Sequence, residues 1–268
     1  AAAVDNLACK AVNATYNIKH MNTDLKHAIA IFQTLQCLGI QYVKDPSGSP
    51  GTRMLDRVKY PAETLEKLNG DCDDTSVLYA ALLSAVGIDA AIISYQDHVL
   101  TMFNTGIYEK NRYSLSIDTT LSIVHNGTLW IPVETTLISK GFLNAWKTAA
   151  EEFHQAVSEG QRVAIIDLEK AWSQYGAVSY EGGKKNWNIA NLNAAVLSEI
   201  KKVTSGLNNA INSETKKLVN KSSLSVEERN RLGVLYARAG KYAESVTVFE
   251  KLVKKAKSSD ILNNLGCA

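Results

Sequence analysis

The chain has 268 residues, with 29 lysines and arginines against 27 aspartates and glutamates and a formal net charge of +2. That balance gives no electrostatic footprint for nucleic acid or an anionic membrane surface. With 46% hydrophobic residues it can bury one large core or two smaller ones, and two parts are expected. No apolar run approaches the roughly 18 residues that cross a bilayer, and the opening residues lack the charged start and apolar core of a signal peptide, which says little about location. The four cysteines, Cys9, Cys37, Cys72 and Cys267, include no C-x-x-C pair. Neither a zinc site nor a dense disulfide framework is suggested.

In chain order, residues 2 to 15 read as a weak helix. Asn22-Thr23 starts a stronger one, in which Leu25, Ala28, Ile29, Ile31, Phe32, Leu35 and Leu38 make a broad apolar face that Gly39 ends. The turn formers of KDPSGSPG predict an exposed loop, and PAETLEKL a short helix with Pro61 in its first turn. After Asn69-Gly70, Asp71 is placed as the N-cap of a helix whose apolar positions Val77, Leu78, Ala81, Leu82 and Ala85 run to Gly87. The pattern then changes to strands at 90–95, 98–103, 113–118, 121–124 and 128–133, with a turn at His125-Asn126-Gly127. Helices followed by an antiparallel sheet define an α+β class. Beyond it lie a helix through Phe142, Trp146 and Phe153, a short buried strand or link in RVAIID, a helix in LEKAWSQYG, a linker in YEGGKKNWN, and a long amphipathic helix from Ile189 to Ile211. The expected division is a domain over 1–180 and a helical region over 181–268.

Cys72 stands in the first turn of its helix, where unpaired N–H groups and the positive end of the helix dipole favour a thiolate. The carboxylates of Asp71, Asp73 and Asp74 oppose it unless they turn away or cap the helix. Acyl transfer through a thiol also needs an imidazole and a group that orients it. His20 and His27 lie at the first strong helix, His125 in a turn and His154 on a helix. His98 alone begins a strand that can pass beside Cys72. Two acids at strand ends, Asp118 in SIDTT and Glu134 in PVETT, qualify as the third partner, and spacing alone does not choose between them. Gln41 and Tyr42 are the attractive side-chain donors for an oxyanion site that the Cys72 N–H would share. A metal site built on Cys72 and His98 has no ligand spacing to support it, and no metal or organic cofactor is expected.

The blocks GDCDDTSVLYAALLSAVGI, DHVLTMF and LWIPVETT, in that order, resemble the core of the transglutaminase-like, papain-like cysteine superfamily, and cover roughly Tyr42 to Thr136. The resemblance implies a helix with an N-terminal cysteine packed on an antiparallel sheet. It implies Cys72 as nucleophile, His98 as general base and acid, and Glu134 as the orienting carboxylate, with Asp118 kept as the alternative. Two features depart from the pattern: glutamate stands where aspartate is usual, and Asn104 to Thr128 reads as an extra hairpin.

Near the end, NRLGVLYARAGKYAESVTVFEKLV resembles a tetratricopeptide repeat over about 226–258, and NNLGCA the start of a second. The two resemblances together imply a bacterial cell-envelope protein, periplasmic or at the surface. The expected function is a cysteine-dependent acyl-transfer enzyme on peptide or amide bonds, with hydrolysis preferred over transamidation. Its expected partners are a peptide or protein substrate and a protein bound through the repeat-like helices, without nucleic acid and without a membrane span. The alternative is a non-catalytic binding scaffold that keeps the fold.

Overall fold

Residues 2–19, 21–44, 57–95, 98–176, 187–256 and 258–268 are described by the computed structural model. His20, most of the loop KDPSGSPG and most of the linker YEGGKKNWN fall outside them. The chain forms two compact units, Ala1–Val203 and Thr204–Ala268.

The first unit begins with α1 (Ala2–Asn13) and α2 (Thr23–Leu38). The α2 ends follow local chemistry. The Asn22 side chain accepts the Leu25 N–H at 2.9 Å, and Gly39 closes the helix in the left-handed region at φ 78°, which glycine adopts without steric cost. Strand β1 (Gln41–Tyr42) pairs in parallel with β2 (Asn69–Gly70), and between them α3 (Pro61–Lys67) starts on its proline. Helix α4 (Cys72–Ser84) follows at once. Its Tyr79 is fully buried, gives its hydroxyl to Ala28 O at 3.0 Å and meets Phe32 edge-on.

Then come β3 (Ala90–Tyr95), β4 (His98–Tyr108), β5 (Ile123–His125), β6 (Thr128–Val133), helix α5 (Phe142–Ser158), β7 (Ala164–Asp167) and helix α6 (Leu168–Gln174). The five strands form one antiparallel sheet in the order β5-β6-β4-β3-β7. It is curled, so that His125 at one edge reaches Asp167 at the other, Nε2 to Oδ1, at 2.7 Å. Side chains alternate between faces along a strand. On β4, Thr101 gives its hydroxyl to Ser76 O of α4, while Leu100 and Met102 pack with Ala149 and Phe153 of α5. Helix α4 therefore covers one face and α5 the other. The mixed α+β class agrees with the sequence.

Three local expectations change. Strand β4 does not end at Phe103 but runs to Tyr108 through an irregular register, with Gly106 at φ 68° taking the bend. The strand expected at 113–118 is absent: 109–114 forms a 3-10 turn, and Leu115 and Ile117 are buried within an irregular segment. Their alternation with polar residues copies a strand pattern, but Ser116 between them is buried as well. Strand β7 is a half-exposed edge rather than a buried strand.

The unit boundary falls inside α7 (Leu192–Val219), later than the expected 180/181. Residues just past 187 are held in the first unit by specific bonds. The Trp187 indole donates to Ala3 O at 3.3 Å, and Glu199, 3% exposed, accepts the Phe142 N–H at 2.8 Å at the start of α5.

The second unit carries α8 (Val226–Arg238), α9 (Tyr242–Val253) and α10 (Ser259–Cys267). Ser225 and Glu228 close a reciprocal capping box on α8, and Gly240, at φ 72°, makes the turn. Phe249, Leu252 and Ile261 form its small core. A Cβ on Gly233 would stand 2.6 Å from the Phe249 ring, so the two helices approach as closely as they do because residue 233 has no side chain. Gly233→Ala is expected to destabilise this unit by about 1–3 kcal/mol. Hydrogen exchange on the full chain would show protection lost across α8 and α9 and retained in the sheet; unchanged exchange there would contradict the packing.

Candidate active site

The approach to Cys72 is built around one buried carboxylate. Asp74, 1% exposed, accepts the Lys59 backbone N–H at 2.6 Å and the Asp71 N–H at 3.3 Å, and pairs with the Lys59 ammonium. Asp71 and Asp73 in turn accept the Asp74 N–H at 3.3 and 2.7 Å. The acidic residues around Cys72 are thus spent on capping the helix. Burial opposes ionisation of Asp71, but hydrogen bonds with Asp73 and Asp74 and the charge of Lys59 outweigh it and hold the carboxyl below its ordinary range.

Gly70 makes this possible. A Cβ there would lie 2.5 Å from Asp74 Cβ, which real atoms do not tolerate. Gly70→Ala is expected to cost about 1–3 kcal/mol and to displace the first turn of α4. Urea unfolding measures the first effect and the alkylation rate of Cys72 the second; a variant identical to the parent in both would contradict the close approach.

A set of buried hydroxyls fixes that turn to the sheet. Thr135 Oγ1 lies 2.9 Å from Thr75 Oγ1 and 3.0 Å from Ser76 Oγ, and Ser76 Oγ donates to Val99 O at 3.3 Å. One network therefore ties α4, the start of β4 and the end of β6 together. Those are the segments that carry Cys72, His98 and Glu134.

His98 Nε2 and Glu134 Oε2 are 2.5 Å apart. Glu134 follows Val133, the partner of Thr101 in the β4–β6 register, which is why the carboxylate arrives beside the strand that His98 begins. Its other oxygen accepts the Thr136 N–H at 2.9 Å and hydroxyl at 2.6 Å. Glu134 is 2% exposed. Burial works against its charge, yet bonds from His98 and Thr136 overcome that and lower its carboxyl from the ordinary 4.5. The Cys72 side chain and then the Glu134 carboxylate act on the His98 ring and, against the cost of burial, push the imidazole up to about 10. With Nε2 directed at Glu134, Nδ1 is the ring nitrogen left for the Cys72 sulfur. The arrangement can hold an imidazolium beside a sulfur and move one proton between them.

A second carboxylate joins from the α5 side. Glu152 Oε2 lies 3.8 Å from His98 Nε2 and takes a hydrogen bond from the Tyr95 hydroxyl at 3.2 Å. His98, Glu134 and Glu152 each offer an atom within 4.8 Å of one another.

The other sequence candidates lie elsewhere. Asp118 is not beside His98; it accepts the Thr120 N–H at 3.0 Å and hydroxyl at 2.6 Å and caps the turn at 119–121. The strand expected to deliver it does not form. Among the described histidines, His125 is bonded to Asp167, and His154 Nε2 lies 2.9 Å from Thr120 O. His27 is half-buried, and burial followed by the charge of Lys26 lowers its imidazole. Gln41 and Tyr42 run alongside Asn69 and Gly70, ahead of Cys72, and both side chains are exposed. The Tyr42 phenol is raised by burial and then by the charges of Cys72, Asp71 and Glu134, so it sits at the rim of the site.

Sequence reasoning did not single out Thr75, Ser76, Thr135, Tyr95 or Glu152. The run Glu134-Thr135-Thr136 was a signal for two of the supporting hydroxyls around the carboxylate. Glu152 had none, since a glutamate on an amphipathic helix reads as a solvated residue. Comparison of the chain with protein-family models, with curated proteins and with solved structures gives no match.

Proposed function

We propose that this chain is a cysteine-dependent acyl-transfer enzyme acting on peptide or amide bonds, with water as the preferred acceptor. The observation that carries the reading is one imidazole bonded to a buried carboxylate and raised by the side chain of a cysteine in the first turn of a helix. The resemblance of GDCDD, DHVLTMF and LWIPVETT to the transglutaminase-like core, with the papain-like arrangement of helix and sheet, belongs to the same proposal, as does a place in the bacterial cell envelope.

The chemistry follows from the charges. The Cys72 thiolate adds to the carbonyl carbon of an amide, and the carbonyl oxygen takes the negative charge beside the Cys72 N–H, one of the groups a helix start leaves unpaired. His98 gives its proton to the leaving nitrogen, the C–N bond breaks, and a thioester remains on Cys72. The imidazole, now neutral, takes a proton from water as the oxygen attacks the thioester carbon. The C–S bond breaks, an acid leaves, and the thiolate–imidazolium pair is restored. Glu134 keeps the imidazole oriented and balances its positive charge throughout.

The test is incubation of the full chain with a pool of peptides and a labelled primary amine, read by mass spectrometry beside Cys72→Ala. Cleavage that requires Cys72 supports the hydrolase, and amine incorporation that requires it points to transamidation. Neither product would turn the reading to the scaffold. The close helix pair α8–α9, read as tetratricopeptide-like, supports that alternative, because such pairs present a surface for a peptide or protein.

A further inference from the structure

Glu152 takes no part in the steps above, yet it stands against the imidazole. It projects from α5, on the face of the sheet opposite α4, and its Oε2 lies 3.8 Å from His98 Nε2. The same oxygen accepts the Tyr95 hydroxyl at 3.2 Å. The Tyr95 ring meets the His98 ring edge-on, with centroids 5.6 Å apart and planes at 72°. Resting on the acyl-transfer reading, we propose that Glu152 is a fourth member of the constellation, a positioning residue: it backs Glu134 at the Nε2 edge of His98 and anchors Tyr95 against the ring.

The need for such a residue is geometric. A single bond at Nε2 leaves the imidazole free to tilt about it, and a tilt of 10–20° is enough to misalign a proton transfer. Tyr95 limits the tilt by contact, and its hydroxyl is in turn held by Glu152.

The charge arrangement agrees. The titratable groups that act on Glu152 are Tyr95 from β3, His98 from β4 and Glu134 at the end of β6. Burial and then the Glu134 charge raise the Glu152 carboxyl above 4.5, as expected when two acids share a site. Glu134, with three donors on it, keeps its charge more readily. Once Glu152 ionises, it gives the imidazolium a second carboxylate, a contribution present in the raised value of His98.

Glu152→Gln keeps the shape and removes that charge at every pH. The imidazole titration of His98, followed by NMR, is expected to shift down by roughly half to one pH unit, and the alkaline end of the pH profile for Cys72 alkylation is expected to move with it. Tyr95→Phe leaves both carboxylates and cuts the tether. It is expected to slow alkylation severalfold without moving the titration, which separates positioning from charge. Should Glu152→Gln lose its fold by circular dichroism, Tyr95→Phe carries the test. Unchanged titration and unchanged labelling in the folded variants overturn the assignment. His98→Ala, run in parallel, separates the two failures. If Cys72 labels equally well without His98, the acyl-transfer reading falls; if labelling needs His98 and ignores Glu152 and Tyr95, only the role of Glu152 falls.

Discussion

Replacing His98 with alanine is expected to slow alkylation of Cys72 by iodoacetamide at pH 6 by about two orders of magnitude. An ordinary thiol, titrating at about 8.5, is almost wholly protonated at that pH and reacts only through its small thiolate fraction. A thiolate held beside an imidazolium escapes this limit, and here the Cys72 side chain and Glu134 raise the imidazole well above neutrality. The measurement is a rate profile from pH 5 to 10 for the parent and His98→Ala. Fast labelling at pH 6 in the parent, lost in the variant, is the expected outcome. Slow labelling in both, rising only above pH 8, would mean that Cys72 behaves as an ordinary thiol and that the chain is better sought as a scaffold.

Glu134→Gln is expected to lower turnover by about 10²–10⁴-fold, in line with the loss of a group that holds an imidazole in one orientation and supports its charge. The isosteric amide can still accept from Thr136, so the fold around it should persist while His98 loses its ionic partner. The same variant has a pH signature. Stability from the imidazolium is fully present below its ordinary 6.5 and is lost as pH rises through about 10. Stability from the Glu134 carboxylate is present above its ordinary 4.5 and is lost as pH falls through the lowered folded value. The parent should therefore exceed Glu134→Gln in melting temperature most clearly between 4.5 and 6.5, with the gap closing towards both extremes. A gap independent of pH would show that Glu134 acts by packing alone. Glu134→Asp draws the carboxylate back by one methylene; a loss of turnover near that of the amide would show that the arm length is fitted to this His98.

Much of this was already determined by the sequence. The cap residues Asn22, Asp71 and Ser225 and the helical spacing behind them fix where α2, α4 and α8 begin, because their side chains satisfy N–H groups within three residues. The hairpin strands carrying Tyr95 and His98 and the strand leading to Glu134 were legible from branched and aromatic runs bounded by turn residues. The placement of Cys72 at a helix start needed nothing beyond Asp71 and the apolar positions that follow it.

The tertiary structure decided what depends on contacts between distant segments. It brought Glu134 and not Asp118 to His98, because the β4–β6 register carries the residue after Val133 there while 3-10 turns at 109–114 and 119–121 lead Asp118 elsewhere. Asp74 proved to be a buried partner for Lys59, with Asp73 a second acceptor for its N–H, which no list of nearby charges foretells. The first unit was extended to Val203 because Trp187 and Glu199 bond to residues at 3 and 142. Glu152 came beside the imidazole from a helix whose sequence marks it only as one more acid on a polar face. Local chemistry sets where elements start and stop; which side chains meet is set by the curl of the sheet and the two helices packed on its opposite faces.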